Sequence, residues 1–170
     1  ARQVAEKELG SELDDTSPVF AALTSLQETL QDGHLDVFGQ CYKDSNGQLV
    51  VVAALRVLGG ETIAAGLADM LNRLQGKDGL ENLQIGYGEH AGVQFHRIGF
   101  GDADVGRMAI LGEDPGLIAG CGPRSMWFGI GGTETIDTVG GVMDSLLAAY
   151  EQPTQPARSS NTRIVVNLNQ

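Results

Sequence analysis

Chemistry in this chain would have to be built from three histidines, His34, His90 and His96, from its two cysteines, Cys41 and Cys121, and from Ser125 in the turn after Cys121. Imidazoles exchange protons near neutral pH and ligate metals, and Asp36, Glu89, Asp102 and Asp104 lie near them in sequence. A thiol or hydroxyl becomes a nucleophile when a histidine takes its proton, so a hydrolase-like site would join Cys121 or Ser125 to one of the three. None of these residues sits in a recognised catalytic motif. The cysteines lack the close spacing of a zinc or redox pair, and an isolated cysteine in an apolar strand usually serves as a small core residue. A Cys41–Cys121 disulfide requires a fold that brings their strands together, which the sequence leaves open. The expectation is therefore no catalytic residue, no metal site and no cofactor, with ligand-binding residues unassigned.

Two glycine-rich stretches resemble phosphate cradles superficially. Gly86-Tyr87-Gly88-Glu89-His90-Ala91 is followed by Val93-Gln94-Phe95-His96, which alternates like a strand where a phosphate site needs a helix N-terminus. In that strand Val93 and Phe95 share one face and Gln94 and His96 the other, so His96 is expected to be solvated or half-buried. Gly129-Ile130-Gly131-Gly132-Thr133-Glu134 does run from strand to helix, but Glu134 would repel a pyrophosphate. Glu134, like Glu61 after Gly59-Gly60, is expected to complement the positive end of its own helix.

The elements that must position these residues follow from periodicity and punctuation. Val4, Ala5, Leu9 and Leu13 suggest a short opening helix. Ser17-Pro18 is a cap followed by a proline at the first helical position, and Val19, Leu23, Leu26 and Leu30 then mark one face until Asp32-Gly33. Leu35–Tyr42 and Leu49–Val57 form a hairpin around Asp44-Ser45-Asn46-Gly47. The second of these strands is apolar on both faces and so belongs inside a sheet. Ile63, Leu67, Met70, Leu71 and Leu74 mark a second helix ending at Gly76. Hairpins follow at 83–87 with 93–100 and at 117–121 with 126–130, with residues 101–114 ambiguous between them. Thr133 offers a cap to a helix carrying Ile136, Val139, Val142, Met143, Leu146, Leu147 and Tyr150. A Pro/Ser/Gln loop over 151–161 then leads to a strand at 163–168.

Strand, turn, strand, Gly-Gly, Glu-Thr-Ile and helix occur around 59–70 and again around 131–143, with Thr133 inserted in the second copy. This is a possible hairpin–helix pseudo-repeat. Trp127 between Met126 and Phe128 is expected in the core, and Cys121 beneath Trp127 or Phe128. The fold class is α+β: an antiparallel β-sheet built from hairpins, with amphipathic helices packed mainly on one face, as a single domain over 1–170.

The net charge of −11 comes from 22 acidic against 11 basic residues. No run of Lys or Arg can neutralise several phosphates, so nucleic acid and anionic membrane surfaces are not expected partners. Hydrophobic residues make up 42%, enough for a core, yet no stretch approaches a membrane span. A start without Met or a signal-peptide core leads us to expect a piece of a longer chain.

The run Gly33-His34-Leu35-Asp36, then Leu-Arg-Val-Leu-Gly-Gly at 55–60, Ala91-Gly92-Val93-Gln94-Phe95-His96-Arg97-Ile98, and Met126-Trp127-Phe128-Gly129-Ile130-Gly131-Gly132 resembles large uncharacterised proteins of planctomycete-type bacteria. The likeness extends over about residues 17–170 and rests on structural glycines and strand residues. It implies an extracytoplasmic, periplasmic or secreted, domain of an exported protein, and transfers no catalytic residue. The resulting expectation is a non-enzymatic binding or structural module, its partner a protein or other domains of the parent chain. Alternatives are a carrier of an apolar ligand in a sheet–helix cavity, with Met70, Met126 and Met143 as adaptable lining, and a hydrolase-like enzyme using Cys121 or Ser125 with a histidine.

Overall fold

Ser17 caps the first helix by accepting the Phe20 N–H at 3.2 Å, and Pro18 fills the position where a missing N–H costs nothing. The computed structural model describes residues 16–77, 80, 82–101, 109–151 and 163–167. Its elements are α1 (Pro18–Gln31), β1 (His34–Lys43), β2 (Leu49–Arg56), α2 (Gly60–Leu74), β3 (Leu83–His90), β4 (Val93–Gly99), a 3₁₀ turn (Ala109–Leu111), β5 (Gly116–Cys121), β6 (Ser125–Gly131), α3 (Thr135–Glu151) and β7 (Arg163–Asn167). The expected opening helix to Leu13, Asp102 and Asp104, and the 152–161 part of the Pro/Ser/Gln loop lie outside the described residues.

The fold is α+β. The seven strands among the described residues form one antiparallel sheet in the order β3-β4-β5-β6-β2-β1-β7. β2 lies inside it, as its two apolar faces require. Register separates those faces. Ala54, Trp127, Gly120 and Phe95 line up across four strands, as do Val52, Gly129, Ile118 and Arg97, while Leu55, Met126 and Cys121 point the other way.

On the first face Val50, Val52, Phe95, Ile118 and Trp127 pack beneath Val139, Val142 and Met143 of α3. Val139 is wholly buried, a burial that stabilises by about 1.5–3 kcal/mol. A Cβ on Gly129 would fall 2.7–2.9 Å from Thr135, Val139 and Ile118, so α3 approaches β6 as closely as a glycine allows. On the second face Ile63 and Ala64 of α2, with Leu26 of α1, pack against Leu55, Met126 and Cys121. Among the described helices, two share one face and α3 packs on the other.

Of the expected face of α1, Val19 is buried and Leu26 is half-buried against the core, but the fully buried stripe does not continue through Leu23 and Leu30. That stripe is Val19, Ala22, Ser25 and Thr29, with Leu23 and Leu30 exposed. The reason is close helix–helix contact. A Cβ on Gly66 of α2 would overlap Ala22 and the Pro18 carbonyl, and Thr29 Oγ1 accepts the Leu58 N–H at 2.9 Å. Small residues bring the backbones together there, and the apolar period alone does not record that.

The two Gly-Gly corners differ in build. Gly59, left-handed at φ 63°, precedes α2, so Glu61 falls in the first turn. In the second corner α3 starts after Glu134, whose carbonyl accepts the Thr138 N–H, so Thr133 is one residue too early to be the cap.

Candidate functional site

Each residue with catalytic potential can be followed to the bond that holds it. His90 ends β3 on the α3 face, where its imidazole lies against Gly140; a Cβ there would come within 2.7 Å of Nδ1. His90 Nε2 meets Asp144 Oδ1 at 2.9 Å, a pair in which His90 is about one-third and Asp144 about two-thirds exposed. Such a pair orients an imidazole but by itself supplies no nucleophile.

His96 is buried, contrary to the solvated or half-buried position expected from alternation. It does point away from Phe95, but the second face is covered too, and the irregular register between Gln84 and Gly88 brings the Gly86 N–H to His96 Nδ1 at 3.2 Å. The neutral ring then carries its proton on Nε2. Desolvation by burial holds this imidazole below its ordinary value.

Cys121 is buried against Val57 and Ile63, not beneath Trp127, because register sets it on the opposite face from the indole. Its thiol donates to the Gly122 carbonyl at 3.6 Å, and burial pushes its pKa up to about 11. Such a thiol is a poor nucleophile. Ser125 Oγ accepts the Trp127 indole N–H at 2.8 Å. His90 and Cys121 lie on opposite faces. His96 pairs with Ala119, two residues before Cys121 on the same face, yet imidazole and thiol are each spent on backbone groups. Both cysteines are free: Cys41 is exposed on β1, and β2 and β6 lie between it and β5. His34 starts β1 opposite Asn167, and its side chain lies outside the described residues. Among the described residues no group of three or more His, Cys, Asp or Glu is arranged to hold a metal.

The polar groups that sequence reasoning missed gather at the other end of the sheet. Arg97 is 3% exposed on the α3 face; it donates to the Asp114 carbonyl and meets Asp114 Oδ2 at 2.8 Å. Its guanidinium stands 5.5 Å from the centre of the Tyr87 ring, and Cβ atoms on Gly99 or Gly116 would fall 3.1–3.3 Å from it. The signal was an arginine two residues after Phe95, on a face that alternation assigns to the core. Glu134 stands at the N-terminal end of α3, as expected, and also reaches a distant turn. Its carboxylate accepts Ser45 Oγ–H at 2.7 and 2.9 Å, the Ser45 N–H at 3.3 Å and Asn46 Nδ2–H at 3.1 Å, fastening the β1–β2 turn to the start of α3.

Beside this fastening lies a cleft of about 630 Å³ lined by Gln48, Asn82, Gly112, Glu113, Asp114 and Pro115, and a smaller one of about 390 Å³ between Asn46, Gln48, Glu113 and Thr133. The larger cleft also takes in Gly101 and Ala109 and exposes more apolar than polar surface, whereas amides, a hydroxyl and a carboxylate line the smaller one, which suits hydrogen bonding. Comparison with known protein families, with curated proteins and with solved structures found no match. No helix among the described residues is long and apolar enough to cross a membrane.

Proposed function

We propose that the chain is a non-enzymatic binding or structural module of an exported protein. One observation carries this reading: His96 Nδ1 and the Cys121 thiol bond backbone groups, Ser125 Oγ accepts the Trp127 indole N–H and His90 Nε2 meets Asp144, so in these bonds no nucleophile is joined to a histidine. A nucleophile and base held ready for substrate would instead bond each other. The filled layer beneath α3, with Val50, Val52, Phe95, Ile118 and Val139 at most 1% exposed, supports a module rather than a carrier of an apolar ligand. The smaller cleft, between Asn46, Gln48, Glu113 and Thr133, is the polar surface suited to a partner, a hydrogen-bonding face of a protein or of another domain in the parent chain. Export rests on the likeness to planctomycete-type proteins.

The test is a screen with chromogenic carboxyl-ester, phosphate-ester and peptide substrates, run beside unfolding measurements. The expected result is no turnover above heat-killed controls, while Ser125→Ala lowers stability by about 1 kcal/mol, the worth of one hydrogen bond. Turnover that disappears with Cys121→Ala or Ser125→Ala, at unchanged stability, overturns the proposal. Export is tested separately by protease accessibility of the parent protein on intact cells; full protection in its native host removes that part.

A further inference from the structure

Asn46-Gly47 is the one Asn-Gly pair in the chain. It forms the exposed tip of the β1–β2 hairpin, a three-residue loop in which Gly47 is left-handed at φ 78° and its N–H donates to the Asp44 carbonyl at 3.0 Å. A glycine leaves its own backbone nitrogen unshielded, which is what an asparagine side chain needs to cyclise onto it. We propose that Asn46 is a site of spontaneous deamidation, and that its conversion to an acid unfastens the hairpin from α3.

The bonds balance as follows. The Gly47 nitrogen attacks Asn46 Cγ, forming an N–C bond as the C–Nδ2 bond breaks, with the nitrogen's proton leaving in ammonia. Water then opens the succinimide at either carbonyl, yielding Asp or isoAsp at position 46. Two contacts in the fold oppose the first step. Asn46 Nδ2 is held by Glu134 Oε1 at 3.1 Å, and the Gly47 N–H is held by Asp44. The product reverses the first of these: a donor facing Glu134 becomes a second carboxylate beside it, and like charges at hydrogen-bond distance repel. The contact that slows the reaction is thus the one the reaction destroys, and the loss of ammonia makes the change one-way. Asn72 precedes Arg73 and Asn82 precedes Leu83, so these share the chain's exposure to water but have a bulky following residue.

The experiment is incubation of the whole chain at mildly alkaline pH and body temperature, with peptide mapping by mass spectrometry and isoAsp detection over time. Expected is amide loss concentrated at Asn46, with Asn72 and Asn82 far behind. Glu134→Ala, which frees the side-chain amide, speeds that loss roughly fivefold, the factor one net hydrogen bond is worth. Asn46→Asp, made directly, lowers amide protection at Ser45 to Gln48 in hydrogen exchange while Phe95 and Ile118 stay protected. Loss at Asn46 no faster than at Asn72 and Asn82 overturns the site. An unchanged rate in Glu134→Ala, or unchanged protection in Asn46→Asp, overturns the coupling to α3. Asn46→Gln, which cyclises poorly but keeps an amide, is the control: it must stay unmodified with the hairpin protected.

Discussion

Gly140 and Gly141 are neighbours in α3 with opposite prospects. A helix-interior glycine costs about 1 kcal/mol relative to alanine, because its backbone loses more freedom on folding. At Gly141 a Cβ meets nothing within 4 Å, so Gly141→Ala should stabilise the chain by about 0.5–1 kcal/mol. At Gly140 the same methyl would come 2.7, 2.9 and 3.0 Å from Nδ1, Cε1 and Cγ of His90. Contact with Cγ means that no rotation of the ring tip relieves it; the whole imidazole must leave, and with it the 2.9 Å bond to Asp144. That pair is largely solvated and contributes at most about 1 kcal/mol, and overpacking adds about 1–3 kcal/mol. Gly140→Ala should therefore fall about 1–4 kcal/mol short of Gly141→Ala despite the same propensity gain. Urea denaturation of both variants in wild-type and His90→Ala backgrounds separates the contributions. With His90 removed, the two alanines should become equivalent within about 0.5 kcal/mol. Equal stabilisation by both substitutions while His90 is present would refute the reasoning.

Other outcomes follow from the same geometry. Stability should plateau between two titrations. His96 has a folded pKa below its ordinary 6.5, so its contribution is complete above that value and is lost as pH falls toward the folded pKa. Cys121 has a folded pKa raised from 9.0 to about 11, so its contribution is complete below 9 and is lost as pH rises toward 11. His96→Gln should flatten the acid side of the profile and Cys121→Ala the alkaline side, and a profile unchanged by either contradicts the assignment. A thiol reagent should modify exposed Cys41 in the native chain within the time that Cys121 needs denaturant to react; equal native rates would show that Cys121 is not shielded. Gly129→Ala should destabilise by about 1–3 kcal/mol through overpacking under α3, whereas a methyl on Gly39 meets nothing within 4 Å; chemical denaturation measures both, and equal midpoints would mean that α3 yields at no cost.

The sequence alone determined what depends on short spacings. Ser17-Pro18 and Asp32-Gly33 bound α1, Asp44 to Gly47 turns the first hairpin, and the two-sided apolar run of β2 placed it inside the sheet, because capping, turn geometry and alternation act over a few residues. The candidate site was legible only as an inventory of histidines, cysteines and a serine. Their states depend on which face each strand presents and on what covers it. His96 was read correctly as opposite to Phe95 but wrongly as wet, since alternation assigns a face without saying whether a helix lies over it. Only tertiary structure joined Arg97 to Asp114, His90 to Asp144, and Glu134 to Ser45, 89 residues away. It likewise turned α1 onto its small residues, because Gly66 admits Ala22 more closely than a leucine stripe could approach. Pairing over such separations is chosen by packing of the whole chain, and no local period carries it.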